Sequence, residues 1–169
     1  MARQTDLKAF QEALAEKLRA AALAESASRL GFESGGTRYL MRLEESGEVL
    51  PLPEITTVPL TRPWFMGLAN VRGNLISVID FAAFAGEPPL ARSPDSRLVL
   101  LADKFGTHSG LVVARMLGLK PAKGFTPLPR AEGDAPWVTA RCRDEEGVEW
   151  REIDLAVLAV APAYLDAAA

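Results

Sequence analysis

Leu7, Phe10, Leu14 and Leu18 recur at three- and four-residue spacing, and Ala21 continues the stripe. That period predicts an amphipathic helix from Asp6 to Leu30. Thr5 or Asp6 is placed to cap it and Gly31 to end it. Such a helix either binds a partner or lies on its own domain. From Phe32 the texture changes to short strands and turns. Arg38 to Leu43 and Glu48 to Leu52 flank a Glu-Ser-Gly turn. Pro51, Pro53, Pro59 and Pro63 then forbid regular ladder or helix. Arg97 to Asp103 and Gly110 to Val113 are the next apolar runs. Val138 to Arg143 and Val148 to Ile153 flank an Asp-Glu-Glu-Gly hairpin turn. Asp154 caps a last helix, Leu155 to Val160, which Pro162 stops.

The most informative stretch is Gly67 to Phe81, GLANVRGNLISVIDF. An apolar approach leads to Arg72-Gly73-Asn74, where Gly beside Asn permits the positive φ of a tight reversal. Leu75 to Ile79 is short, apolar on both faces and bounded by turn signals, and so reads as a buried strand. Asp80 then stands as an N-cap ahead of Phe81-Ala82-Ala83-Phe84, with Gly86 as the stop. A guanidinium is thus mounted on a rigid turn between two pieces of core, the usual placement of a recognition residue. The pattern strand, Asp cap, apolar helix returns in Glu152-Ile153-Asp154-Leu155-Ala156. Short strands at this spacing predict small barrels, and two similar halves predict a groove between them.

The same stretch resembles the signature of the CheW family of chemotaxis coupling proteins. The longer run EVLPLPEITTVPLTRPWFMGLANVRGN, Glu48 to Asn74, is similar to its pilus branch. The resemblance spans Phe32 to Leu165. It implies a mainly β fold of two SH3-like five-stranded barrel subdomains sharing a core. The chain then divides into an N-terminal helix (1–31), a CheW-like domain (32–165) and a tail (166–169). It implies a non-catalytic adaptor, cytoplasmic and recruited to membrane receptor arrays, that holds the cytoplasmic tip of a methyl-accepting chemotaxis receptor and a CheA-like histidine kinase. In the family the matching arginine lies near the receptor-binding groove and pairs with a glutamate from an early strand, here Glu48. The partner-binding residues expected on that basis are Arg72, Glu48, Val49, Asn70, Val71, Gly73 and Asn74. Gly67 and Gly73 serve conformation, and Asn70 hydrogen-bonds the turn. The sequence departs from the family at Ser77, where a proline is usual, and at Ala114, where an acidic residue commonly follows the apolar run. The second departure bears on kinase-side contacts and leaves a receptor-binding competitor as the alternative adaptor.

Length and charge narrow the remaining classes. A chain of 169 residues buries about 70% of its unfolded surface and builds a core without staples. Its formal charge is −3, and the single cysteine, Cys142, cannot close an internal disulfide, as expected in a reducing compartment. Residues 55–130 hold nine basic and four acidic residues, and residues 131–169 hold three basic and nine acidic. No basic stripe with interleaved aromatics appears, so nucleic acid is not an expected partner. The longest apolar runs fall short of a membrane span, and the N-terminal residues lack the apolar core of a signal peptide.

Catalytic chemistry is thinly supplied. With one histidine, His108, no His–His metal pair is possible, and that residue reads as solvated. Neither a metal nor a cofactor is expected. A small hydrolase using Ser109 or Cys142 is the rival of another class. Alternation from Trp137 to Arg143 turns Cys142 away from its flanking arginines and toward the interior. Trp64-Phe65-Met66 reads as a loop plug, Trp137 and Trp150 as core or cross-strand partners, and Asp144-Glu145-Glu146 as turn charges.

Overall fold

The computed structural model describes residues 2–26 and 28–168, with side chains of the first helix described for residues 9–21. That helix, α1, runs Ala2–Ser26 and ends before β1, Arg29–Ser34. Thr5 and Asp6 therefore lie inside it, and Leu30 and Gly31 belong to a strand. Leu7 falls outside the described side chains. Phe10, Leu14 and Leu18 are 65%, 47% and 63% exposed, so the apolar stripe is not part of the core.

Among the described residues eleven strands form two sheets. The strands after β1 are β2 Thr37–Arg42, β3 Ser46–Pro51, β4 Phe65–Val71, β5 Asn74–Asp80 and β6 Arg97–Leu101. They continue as β7 Ser109–Val113, β8 Arg115–Lys120, β9 Thr126–Leu128, β10 Val138–Arg143 and β11 Glu149–Ile153. The first sheet is ordered β8-β1-β2-β11-β10-β9, and the second β3-β6-β7-β5-β4. Short helices follow β5 (α2, Phe81–Phe84) and β11 (α3, Leu155–Ala159), and α4, Pro162–Leu165, closes the chain. Strand outweighs helix, so the protein is mainly β, as expected.

The short sequence repeat is a topological one. In each sheet an antiparallel hairpin ending in an aspartate strand lies parallel to one strand of a second hairpin. Those pairs are β5 with β7 and β11 with β2. Beyond the second hairpin lies an edge strand, β3 or β8. The two units are circular permutations, because the first sheet takes its second hairpin, β1–β2, from residues 29–42. They are therefore not two successive halves of the chain. One sheet is interleaved inside the other, and β9 is an extra strand.

The two sheets share one core. Phe32, Tyr39 and Met41 from the first sheet meet Ile79, Val99 and Leu111 from the second, with Phe81 between them. Phe81 packs edge-on against both Phe32 and Tyr39, with ring centroids 5.4 and 5.0 Å away. Ala69, Val78, Leu98 and Val112 form a second cluster in the second sheet, and Leu40, Cys142 and Trp150 a third in the first. Strands buried on both faces read as continuous apolar runs rather than alternating ones. Trp64 does act as a plug, its ring 5.2 Å from Phe84, whereas Phe65 and Met66 open β4. Trp137 and Trp150 sit in different clusters and are not partners; Trp150 stands opposite Cys142.

Both aspartate caps form. Asp80 Oδ1 accepts from Ala83 N at 3.1 Å, and its Oδ2 accepts from Leu90 N at 2.8 Å, tying down the following loop. Asp154 Oδ1 accepts from Val157 N at 3.0 Å. Pro162 occupies the first turn of α4 rather than stopping α3, the position where its missing N–H costs nothing. The tail is pinned: Arg62 N donates to Ala167 O at 2.9 Å, and Thr61 bridges Ala168. Removing residues 1–26 should leave a cooperative melt shifted by less than about 0.5 kcal/mol, because the described apolar stripe is exposed. A molten truncated protein, seen by near-UV circular dichroism, would put the stripe in the core after all. Removing residues 1–30 takes the start of β1 and is a different experiment.

The acidic turn between β10 and β11 is structural. Asp144 accepts from Trp150 Nε1 and Val148 N, both at 2.8 Å, and from Glu146 N at 3.0 Å. The bond from Trp150, together with the backbone donors, holds its carboxyl below the ordinary 3.8. A depressed folded pKa contributes stability that is complete above the unfolded value and is lost as pH falls through the folded one. Asp144→Asn should therefore cost on the order of 1 kcal/mol at pH 7, and that difference should shrink below about pH 4. Urea melts across pH check it; a pH-independent difference refutes it.

Candidate partner-binding site

The arginine turn is the loop of the β4–β5 hairpin. Val71 pairs with Asn74, so Arg72-Gly73 is a two-residue connection. Both residues have positive φ, +53° for Arg72 and +83° for Gly73, the pattern of a type I′ turn. The reversal thus falls one residue earlier than Gly beside Asn suggests, and Asn74 begins β5. The left-handed conformation costs a residue with a Cβ about 1–2 kcal/mol. Asn70 offsets part of that cost, since its Oδ1 accepts from Gly73 N at 2.9 Å.

Glu48 lies on β3 and Arg72 follows β4, the two opposite edges of the second sheet. Their side chains nonetheless meet, with Arg72 Nη2 donating to Glu48 Oε1 at 2.5 Å. The sheet has therefore curled until its edges approach at this end. The pair sits at the rim, with side chains 74% and 37% exposed, where an ion pair contributes about 0–1 kcal/mol. Its contribution is geometric, since it orients the guanidinium while leaving most of that group open to solvent.

A groove of about 430 Å³ opens beside the pair. Glu48, Val71, Arg72 and Asn74 line it together, with Ile76 and Leu100 as apolar floor. Val49 is exposed but stands outside this lining, while Asn70 and Gly73 are spent on the turn itself. The far wall, from Asp103 to His108, was not foreseen, and nothing in a Gly-flanked polar loop signals it. Ser77 anchors that wall, its N–H donating to His108 O at 2.8 Å. Gly67 holds the hairpin's base, where β4 runs close against the Thr56 backbone.

Neither candidate nucleophile is armed. Ser109 is buried, and its Oγ accepts from Tyr164 OH at 2.8 Å and donates to Thr107 Oγ1 at 3.3 Å. Both partners are hydroxyls, and burial pushes the Tyr164 phenol up to about 12, so it is no base. Cys142 is buried with its thiol pushed up by that burial, the reverse of what a thiolate nucleophile needs.

A curled β-sheet that displays an arginine at its rim, with Ser109 and Cys142 committed to packing, offers a surface suited to binding rather than to nucleophilic chemistry. The CheW-like domain profile matches residues 29–161, and the chain belongs to that family. Its members are non-catalytic coupling scaffolds, and this chain is not an enzyme. Protein PilI of Pseudomonas aeruginosa is 34% identical over 96 residues, covering 57% of this chain and 53% of that protein, so the chain spans about half the length of that relative. The crystal structure of the scaffolding protein TtCheW from Thermoanaerobacter tengcongensis superposes with a TM-score of 0.67 at 23% identity. It covers 80% of this chain and 94% of that one, a likeness of fold. Among the described residues no helix is long and apolar enough to cross a membrane.

Proposed function

We propose that this chain couples a methyl-accepting chemotaxis receptor to a CheA-like histidine kinase in a pilus-type, twitching-motility signalling system. The observation that carries the reading is the exposed Arg72, held on a type I′ turn at the rim of a CheW-like domain. The similarity to PilI supports the pilus branch. In this reading the receptor's cytoplasmic hairpin tip docks on Arg72, Glu48, Val49, Val71 and Asn74, with Asn70 and Gly73 shaping the turn. The kinase's regulatory domain binds another surface of the two-sheet body. Holding both partners raises their effective concentration for each other. The site of action is the cytoplasmic face of a membrane receptor array.

Ala114 favours a second reading, a receptor-binding module that lacks kinase coupling. It stands where relatives commonly carry an acidic residue, and its backbone N–H is used within the fold, donating to Glu33 O at 2.9 Å. Reconstitution separates the two. The purified chain is mixed with a receptor cytoplasmic fragment and the kinase from the same cells, and complexes are resolved by size. A ternary complex supports coupling; receptor binding alone supports the competitor; binding of neither partner refutes both.

A further inference from the structure

α1 carries an apolar face that its own domain leaves open. The helix runs the 25 residues Ala2–Ser26, yet Phe10, Leu14, Leu18 and Ala21 are all exposed. Helices in water draw most of their stability from packing such a face, and propensity alone leaves them marginal. The face therefore calls for a cover from outside the domain.

The spacing of the face says what that cover is. The stripe is Leu7, Phe10, Leu14, Leu18 and Ala21, with Arg3 and Glu25 one turn beyond its two ends. From Arg3 to Glu25 the steps are four, three, four, four, three and four residues, the same read in either direction from Leu14. At 3.6 residues per turn all of these positions fall within about 40° of the line through Leu14. A palindromic face can match itself across a two-fold axis, where one surface patch serves both copies. With Leu14 on that axis, Phe10 stands opposite Leu18 of the second copy, Leu7 opposite Ala21 and Arg3 opposite Glu25. A large side chain meets a small one at the second pair, and opposite charges meet at the third. A parallel pairing would instead set Arg3 against Arg3 and Glu25 against Glu25. Glu12 and Glu16 come level with each other in the antiparallel register, but they fall on the far side of the helix.

The charges of α1 argue against other occupants. Arg3, Lys8, Lys17 and Arg19 are balanced by Asp6, Glu12, Glu16 and Glu25, so the helix has no net charge. A helix lying on an anionic membrane surface carries a basic polar face, and a strongly charged protein partner would be met by a patch of the opposite sign.

We propose that α1 pairs antiparallel with α1 of a second copy through the stripe centred on Leu14, making the chain a two-fold dimer. One helix pair lies at the low end of specific interfaces, below about 1,200 Å² of buried surface, so the dimer is weak and concentration-dependent. The pairing stands whether or not the receptor reading does.

Sedimentation equilibrium of the full chain tests it, at concentrations up to about 0.5 mM, where a pair of sub-millimolar affinity is visible. The average mass should rise from monomer toward dimer. Leu14→Glu, which sets two carboxylates face to face on the axis, should weaken association tenfold or more. Leu60→Glu, an exposed leucine in the proline-rich loop, should associate as wild type does. Arg3→Glu and Glu25→Arg should each weaken association threefold or more, and the two together should restore it. A monomer at every concentration, or a dimer indifferent to Leu14→Glu, overturns the proposal. Charge reversals without effect overturn the antiparallel register and the proposal with it. At low concentration Leu14→Glu should melt as wild type does, because Leu14 is exposed. A lower melting temperature shows the leucine engaged within its own fold, and that also overturns the pairing.

Discussion

Arg72→Gly should leave the protein as stable as wild type, or slightly more so, while receptor affinity falls roughly five- to thirty-fold, the about 1–2 kcal/mol usual for an interface anchor. Two opposing terms set the stability. Glycine adopts φ near +53° without the Cβ penalty of about 1–2 kcal/mol, and the exposed ion pair to Glu48 contributes about 0–1 kcal/mol. Arg72→Ala keeps the penalty and loses the pair, so it should be the less stable of the two variants while binding equally weakly. That contrast separates docking from bracing. If the arginine only braces the turn, affinity follows stability, and the glycine variant binds as wild type does. Wild-type affinity in folded Arg72→Gly ends the case for this turn as the recognition site. Glu48→Ala completes the test by double-mutant cycle: bracing predicts strong non-additivity with Arg72→Ala in stability. Docking predicts a small change in binding, because the guanidinium survives the loss of its carboxylate.

How much of this was legible depends on whether the signal was local. The aspartate caps were readable because a cap is settled within four residues: Asp80 with Ala83, and Asp154 with Val157. The β10–β11 hairpin was readable because its turn residues are contiguous. The end of α1 was misplaced because Leu30 continues an apolar spacing, yet its burial is dictated by β2 and β8, residues 37–42 and 115–120. β4 was hidden by a different effect. Pro59 and Pro63 lie just ahead of it, yet it forms as one arm of the β4–β5 hairpin, with Thr56 bridging Leu68 on its other side. β8 and β9 were missed because short strands at a sheet edge carry little apolar patterning. The interleaving of the two sheets has no sequence signature at all, since permuting a unit changes connectivity without changing any local pattern. The same division holds at the site. The turn Val71 to Asn74 was visible, and Glu48 came from family resemblance, but the wall from Asp103 to His108 arrives by curling of the sheet.

Gly67→Ala should be among the most damaging single substitutions in the chain, costing about 3 kcal/mol or more. Gly67 lies in β4 with φ of +135°, a conformation that side chains rarely adopt. A Cβ built there would overlap Thr56 O and stand 2.8 Å from the Thr56 carbonyl carbon. Those are backbone atoms, and they cannot swing aside, because Thr56 N donates to Leu68 O and Leu68 N donates to Thr56 O, each at 2.8 Å. The methyl would have to pull the 52–64 segment off β4, breaking both bonds and uncovering the Ala69–Val78 cluster beneath. Gly73→Ala supplies the control. Its φ of +83° is also positive, but a Cβ there meets nothing within 4 Å, so only the conformational penalty of about 1–2 kcal/mol applies. Urea denaturation of both variants isolates the close approach as the difference between them. Equal losses would mean that the Thr56 contact yields easily and that backbone conformation alone demands glycine at both positions. A markedly larger loss at Gly67 would show that the arginine hairpin is held at its base by a contact only glycine permits, which is why a strained turn at its tip can keep Arg72 in one place.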